Sequence, residues 1–281
     1  MSEARWLDQG GSATKLAFYR VLGPVEAIAD NTGRGLVFPS GAIGDFTGGA
    51  ALLAQAEGVL RGLGVRRARG PLDGNTFFPY RCSLGPTESP PFPTEPVCTP
   101  EVWRSAGWRE DGRYVSVFAP LSERLCREAP VPSGWTLRTL NMERFEVELA
   151  SLYRVTCSAF AGAWRYQAVP FGVFAAIYGA MRTTIDPRWV YVLEDSTGEV
   201  QGYFLNFVAG DVMICKTLAL TSATHGQRLS WPLVSRLHRD ARELGLRGAV
   251  HALMHETANS LFFAEPGCQV IRRYALYQKS L

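Results

Sequence analysis

LTSATHGQRLSWPL, residues Leu220 to Leu233, joins a strand-like pattern to a helical one. The run VMICKTLALT (212–221) reads as a strand, and Leu229–Leu244 carries apolar residues at helical spacing. Between them lies a short polar loop with a single glycine, Gly226, and a nearby Arg228. A helix start leaves about four N–H groups without partners and carries roughly half a positive charge, so an anion is stabilised there. Pro232 falls in the first turn, where its missing N–H costs nothing. The alternative is an ordinary strand-to-helix connection with Ser230 as N-cap.

The flanking sequence extends this unit. WTLRTLN (135–141) predicts a strand, and Met142–Phe160 an amphipathic helix with Phe145, Leu149, Leu152 and Val155 on one face. Phe171–Met181 predicts a second helix. WVYVLED and EVQGYFLNFVA flank a Thr-Gly turn and predict a hairpin. After the helix that follows the loop come Gly245 as a stop, the strand GAVHALM, a short helix from Asn259 and a final strand pair. This order predicts a mixed α/β sheet.

The first half repeats parts of the second. LRGLGVRRA (60–68) and ARELGLRGA (241–249) share a helix end, a glycine and a basic strand entry. VWRSAGWREDGRYVSVFAP (102–120) and LFFAEPGCQVIRRYALYQKSL (261–281) each predict a short helix, a glycine and paired strands. Two fragments echoed in the same order predict a tandem repeat. The proline-rich REAPVPSGW (127–135) separates the copies, giving an N-terminal domain 1–128 and a C-terminal domain 129–281.

Composition sets the class. The chain has 281 residues, 47% of them hydrophobic and 20% charged, as a globular protein does. A net charge of +3 permits an anionic ligand but gives little support to nucleic acid as the main partner. No apolar run is long enough to cross a bilayer, and the N-terminus lacks signal-peptide character, so the expected compartment is the cytoplasm. Cys82, Cys98, Cys126, Cys157, Cys215 and Cys268 form no C-x-x-C pair, so neither a metal site nor a disulfide framework is expected.

In this order of elements the chain resembles the GNAT acyltransferases, and more narrowly bacterial proteins with two fused GNAT domains. That family binds acyl-CoA through a Q/R-x-x-G-x-G/A loop at a helix start. Over it lie His225, Gly226, Gln227, Arg228, Leu229 and Ser230, with His225 in place of Gln or Arg and Arg228 in place of the central glycine. The tail from Asn259 through Gly267 and VIRRYALY is similar to the family's ending, with Ala264 where its general-acid tyrosine often stands. The resemblance implies acetyl-CoA as co-substrate, held by the loop together with Leu218, Leu220 and Asn259. In the first half, GAIGDFTGGAALL (41–53) puts Asp45 at the corresponding place, where a carboxylate repels pyrophosphate. That half reads as a degenerate copy.

Acyl transfer to an amine needs a group that takes up a proton near neutral pH. VHALMHE (250–256) offers His251 and His255, which strand alternation would place on one face, with Glu256 at the mouth. The resemblance implies that this strand splays from its neighbour to open the thioester slot. Each of the three residues also has a structural reading, His251 as an interior histidine and the others as a helix start. Lys216 and Cys215 on the preceding strand are further candidates for the slot, Cys215 as a nucleophile. GAWRYQAVPFG (162–172), which the resemblance places at the acceptor site, and GPLDGNTFFPYRC (70–82) are both irregular and aromatic.

The resulting expectation is an acyl-CoA-dependent N-acyltransferase, acting as a monomer or homodimer on an amine of a small or amino-acid-like molecule. A tRNA-dependent aminoacyl transferase and a non-catalytic CoA-binding scaffold are the alternatives.

Overall fold

A computed structural model of the chain describes residues 50–62, 66–71, 77, 81–84, 100–163, 166, 168–257 and 267–281. In chain order the elements are α1 (Ala50–Gly62), β1 (Arg67–Gly70), β2 (Cys82–Ser83), α2 (Pro100–Ser105), β3 (Arg109–Pro120), α3 (Glu123–Cys126), β4 (Trp135–Thr139) and α4 (Phe145–Phe160). There follow α5 (Phe171–Ala180), β5 (Val190–Asp195), β6 (Val200–Ala209), β7 (Val212–Leu220), α6 (Ser230–Glu243), β8 (Gly248–His255) and β9 (Gln269–Ser280). These nine strands form one sheet in the order β1-β9-β3-β8-β7-β6-β5-β4, with β2 also pairing β9. Only β7 and β8 run parallel. The sheet is mixed, as expected.

Local chemistry accounts for the frame. Leu233, Val234, Leu237 and Ala241 form the buried stripe of α6 against Tyr191, Phe204, Met213 and Ala249 of the sheet. Gly245 ends that helix at φ +71°, with its N–H on Arg242 O and the Leu246 N–H on Ala241 O. This is the glycine-closed helix end that the sequence predicts. On the other face, Phe145, Leu149 and Val155 of α4 and Val173 and Phe174 of α5 pack on Val190, Val192, Tyr203 and Ala219. The hairpin between β5 and β6 turns at Gly198, φ +81°, as its Thr-Gly pair predicts.

The echoed segments meet near the β1 end of the sheet. Among the described residues neither 102–120 nor 267–281 yields a pair of strands; each yields one long strand, and β3 and β9 pair with each other. Tyr114 lies opposite Tyr274, Arg113 opposite Ala275 and Val115 opposite Arg273, a register with a local two-fold at the tyrosines. The outer pairings obey the same relation. Arg67 and Ala68 of β1 face Ser280 and Lys279, while Gly248 and Ala249 of β8 face Pro120 and Ala119. Each half's last strand therefore lies beside the other half's helix-led strand. The described strands of residues 1–128 are continuous with the sheet of residues 129–281.

The bulges follow the two-fold too. On β8, Ala252 and Leu253 stand against Ser116 alone, with Leu253 at φ +61°. At the matching place in the first half stands Arg81, φ +75°, directly before β2, whose Cys82 and Ser83 face Ala275 and Tyr274. Residues 1–49, with Asp45, and Gly64 lie outside the described residues. Cys82 is in a disulfide, although a chain of this size needs no disulfide framework, whereas Cys126, Cys157, Cys215 and Cys268 are in none. Among the described residues no helix is long and apolar enough to cross a membrane.

Candidate functional site

β7 and β8 pair over only four residues each, from Val212 opposite Gly248 to Cys215 opposite His251. Beyond that point each strand carries a bulge. On β7, Leu205 faces Thr217 while Asn206 faces Cys215, so Lys216 is the extra residue. On β8 the extra residue lies at Ala252–Leu253. A bulge bends and twists its strand, and two at one level drive the pair apart. The lengths Lys216–Leu220 and Ala252–His255 are thus left facing a slot, each paired only on its far side.

The loop leaving β7 reaches the mouth of this slot. A short 3-10 turn, Ser222–Thr224, ties the N–H groups of Thr224, His225 and Gln227 to carbonyls of the loop itself. Gly226 then adopts φ +77° and Arg228 φ +53°, and both are exposed. Among the described residues the N–H groups of Gly226, Arg228, Leu229 and Ser230 have no backbone acceptor. The helix begins at Ser230 with Leu229 as cap residue and no side-chain cap bond. Ser230 is therefore not the N-cap that a plain connection would use. Leu229 is buried and fastens the helix start, while Leu218, Leu220 and Trp231 pack along the same face as α6.

Gln227 does not offer its side chain to a ligand in the way its position suggests. Its Oε1 accepts from Trp135 Nε1 at 2.9 Å and its Nε2 donates to Ala223 O at 2.9 Å, bracing the loop against β4. Arg228 and His225 are the exposed cationic or neutral donors that remain beside the backbone. Trp135 is a loop anchor that sequence reasoning missed, since only the fold brings β4 beside residue 227.

His251 and His255 do not share a face. The bulge between them adds one residue to β8 and reverses the alternation. His251 points under α6, where its Nε2 lies 3.3 Å from Nε2 of His238. Burial lowers its pKa to about 4, and burial plus the neighbouring His251 and Arg242 lower that of His238 to about 3. His251 is an interior histidine, not a base in the slot. Cys215 lies on the same buried face, where burial pushes its thiol far up, so the nucleophile reading fails. Lys216 is exposed on the bulge.

His255 lies on the opposite face at the end of β8. Its ring stands edge-on to Tyr114 at 4.9 Å, and its Nδ1 accepts from the Thr257 N–H at 3.2 Å and lies 2.8 Å from Thr257 Oγ1. A neutral ring held this way carries its proton on Nε2. Glu256 is exposed at the slot's mouth, its N–H on Arg113 O. Tyr114 and Arg113 come from the first half, a contribution no local signal foretold. Asn259 and Ala264 lie outside the described residues. Among the described residues no three metal-ligating side chains come together.

No protein-family model and no curated protein matches this chain. Solved structures do. A GCN5-related N-acetyltransferase from Sphaerobacter thermophilus aligns over 88% of this chain and 75% of its own, at 14% identity and TM-score 0.59. A conserved protein of unknown function from Enterococcus faecalis V583, a probable N-acyltransferase, aligns over 90% of this chain and 56% of its own, at 11% identity and TM-score 0.54. A tandem GNAT protein from the clavulanic acid biosynthesis pathway aligns over 82% and 69%, at 14% identity and TM-score 0.49, too low to carry an argument. At these identities the likeness is one of fold.

Proposed function

We propose that this chain, which has the fold of the GCN5-related N-acetyltransferases, transfers an acyl group, acetyl first among the candidates, from acyl-CoA to an amine. The observation that carries the reading is the slot between β7 and β8 with an uncapped helix start at its mouth.

In this reading acyl-CoA lies along the slot. Its pyrophosphate suits the N–H groups of Gly226, Arg228, Leu229 and Ser230, with the Arg228 guanidinium for charge-assisted bonds. Its amide-bearing arm can pair with the slot-facing edge of β7 from Lys216 to Leu220, as an added strand would. The thioester then lies within the slot. Attack by the amine forms a C–N bond as the C–S bond breaks; the proton lost by nitrogen leaves, and the sulfur departs as thiolate and takes up a proton. We assign proton removal to Glu256, directly or through water. His255, with its proton on Nε2, serves as a hydrogen-bond donor in the slot, not as the base.

The test combines native mass spectrometry of the purified protein with an acetyl-transfer assay over a panel of amines. Bound CoA species and acetylated amine are expected. Binding without any transfer would leave a CoA-binding scaffold, and absence of both would overturn the proposal. Glu256→Gln should lower kcat, whereas His255→Gln, which keeps an N–H donor near Nε2, should preserve most of it.

A further inference from the structure

A threonine at the cap of a helical turn ordinarily bonds its hydroxyl to one of the turn's own first N–H groups. Thr221 stands at that position before the Ser222–Thr224 turn and makes no such bond. Its hydroxyl instead points back into the sheet and donates to Gln201 Oε1 on β6 at 2.8 Å. Gln201 Nε2 in turn donates to Asp195 Oδ2 at 2.8 Å and to Glu199 Oε2 at 3.3 Å. Thr221 and Gln201 are both buried. A residue of the loop has exchanged a local cap for a buried chain of bonds that ends on the β5–β6 hairpin.

This chain of bonds has one direction. Asp195 also accepts on Oδ1 from the Thr197 hydroxyl and from the N–H groups of Thr197 and Glu199. These contacts, the Thr197 hydroxyl first and Gln201 next, hold its carboxyl down at a pKa of about 2. An ionised carboxylate only accepts, so the Gln201 amide must turn its NH2 to Asp195 and its oxygen to Thr221. The opposite flip would set two oxygens face to face. Thr221 must then donate, and its hydroxyl has one place to go.

The backbone completes the attachment. The Thr221 N–H donates to Gln201 O at 2.9 Å. Thr221 O accepts from the Thr224 N–H at 3.1 Å and from the Thr224 hydroxyl at 2.7 Å, and Thr224 is itself buried. At the far end of the loop Gln227 is held by Trp135, whose register partner is Asp195. Both ends of residues 221–227 are therefore fastened to one corner of the sheet, where β4 meets β5. The N–H groups of Gly226, Arg228, Leu229 and Ser230, which have no backbone acceptor among the described residues, flank the second fastening. Groups held in this way are in place before a ligand arrives, and binding loses no free energy to ordering them. We infer that Gln201 and Thr221 are positioning residues for the donor's pyrophosphate, acting through the loop whose N–H groups they hold. This inference rests on the acyl-transfer reading, which makes acyl-CoA the ligand of the loop.

The experiment compares the full chain with Thr221→Val, Gln201→Met and Thr221→Ser. Ligand-observed NMR measures the affinities for CoA and for pantetheine, which lacks the phosphates. Hydrogen exchange read by mass spectrometry follows residues 221–230 in the ligand-free protein. Thr221→Val keeps the side chain's shape and removes the donor, and Gln201→Met removes both ends of the amide. Each should weaken CoA about fivefold, the effect of one neutral hydrogen bond. Each should leave pantetheine nearly as it was and speed exchange in the loop. Thr221→Ser, which keeps the hydroxyl, should recover most of the CoA affinity. Bonds that only stabilise the fold would lower the melting temperature and either spare CoA or weaken both ligands equally. Either result overturns the inference while leaving acyl-CoA binding standing. If the unaltered chain binds no CoA, the acyl-transfer reading itself fails, and exchange then decides the brace: faster loop exchange in Thr221→Val upholds it, and unchanged exchange overturns it.

Discussion

Counted back in sequence from Gly64 and Gly245 of the echoed stretches, Glu57 and His238 occupy the same position, and both are buried. Their surroundings differ. Glu57 accepts from Lys279 Nζ at 2.7 and 2.9 Å, from Trp108 Nε1 at 2.8 Å and from Arg61 at 3.0 Å. Lys279 arrives on β9, the strand exchanged from the second half. The residue that matches Lys279 beside α6 is Ala119, which brings no charge, and there His238 meets His251 of its own half instead. One copy buries an ion network that ties the halves together, and the other buries a neutral pair beneath the slot. The lesson is that a buried ionised group persists only where the opposite charge is delivered to it. The same backbone frame takes either solution.

The largest effect expected from this comparison is on the halves themselves. Residues 129–281 expressed alone lack β3, which covers β8 on one side and β9 on the other. They should show no cooperative melting, and mixing with residues 1–128 should restore it. A cooperative transition of the isolated half near that of the full chain would break the claim of mutual dependence.

Next comes the ion network. Glu57→Ala leaves Lys279 beside a buried gap and should cost about 3–5 kcal/mol, read by denaturant unfolding. Replacing both His238 by Leu and His251 by Val removes both polar partners at once and should change stability far less. Similar losses in the two experiments would erase the contrast between the copies.

Acid separates the copies in a third way. Burial holds His251 near pKa 4 and His238 near 3, below the usual histidine value of about 6.5. The unfolded chain therefore takes up protons first, so stability present above pH 6.5 should fall as pH drops toward 4. The slope should be at most about 1.4 kcal/mol per pH unit for each histidine. Burial alone would raise the pKa of Glu57, but the Lys279, Trp108 and Arg61 contacts outweigh it and leave it lowered. Its contribution should survive to lower pH, until the glutamate protonates. Unfolding measured at pH 7.5, 6 and 5 should show the histidine limb, and the His238→Leu, His251→Val double variant should flatten it.

The smallest effect on stability, yet a clear one on binding, belongs to the loop. Arg228→Glu should weaken acyl-CoA binding about tenfold or more, with little change in melting temperature because the side chain is exposed. Pantetheine, which lacks the phosphates, should be affected much less. Calorimetry should count one acyl-CoA per chain, since Asp45 sets a negative charge in the first copy; two equivalent sites would show that the copies still share the function.

Periodicity and punctuation within the chain determined the elements. The elements from β4 through β8, the hairpin at Gly198, the helix end at Gly245 and the polar loop before α6 all depend on residues close in sequence, so they were legible there. The strand pairs expected in 102–120 and 261–281 were not, each being one long strand paired with the other. The echoes of 60–68 with 241–249 and of 102–120 with 261–281 were legible too. What the tertiary structure alone decided is how those echoes meet. Tyr114 faces Tyr274 and Lys279 reaches Glu57 across a sheet that brings distant segments together, and no local pattern encodes a partner more than a hundred residues away. The bulges at Lys216 and Leu253 likewise arise from competition between neighbouring strands for register. They open the slot, and by adding one residue they send His251 into the core and leave His255 on the other face, because a strand's alternation counts every residue between them.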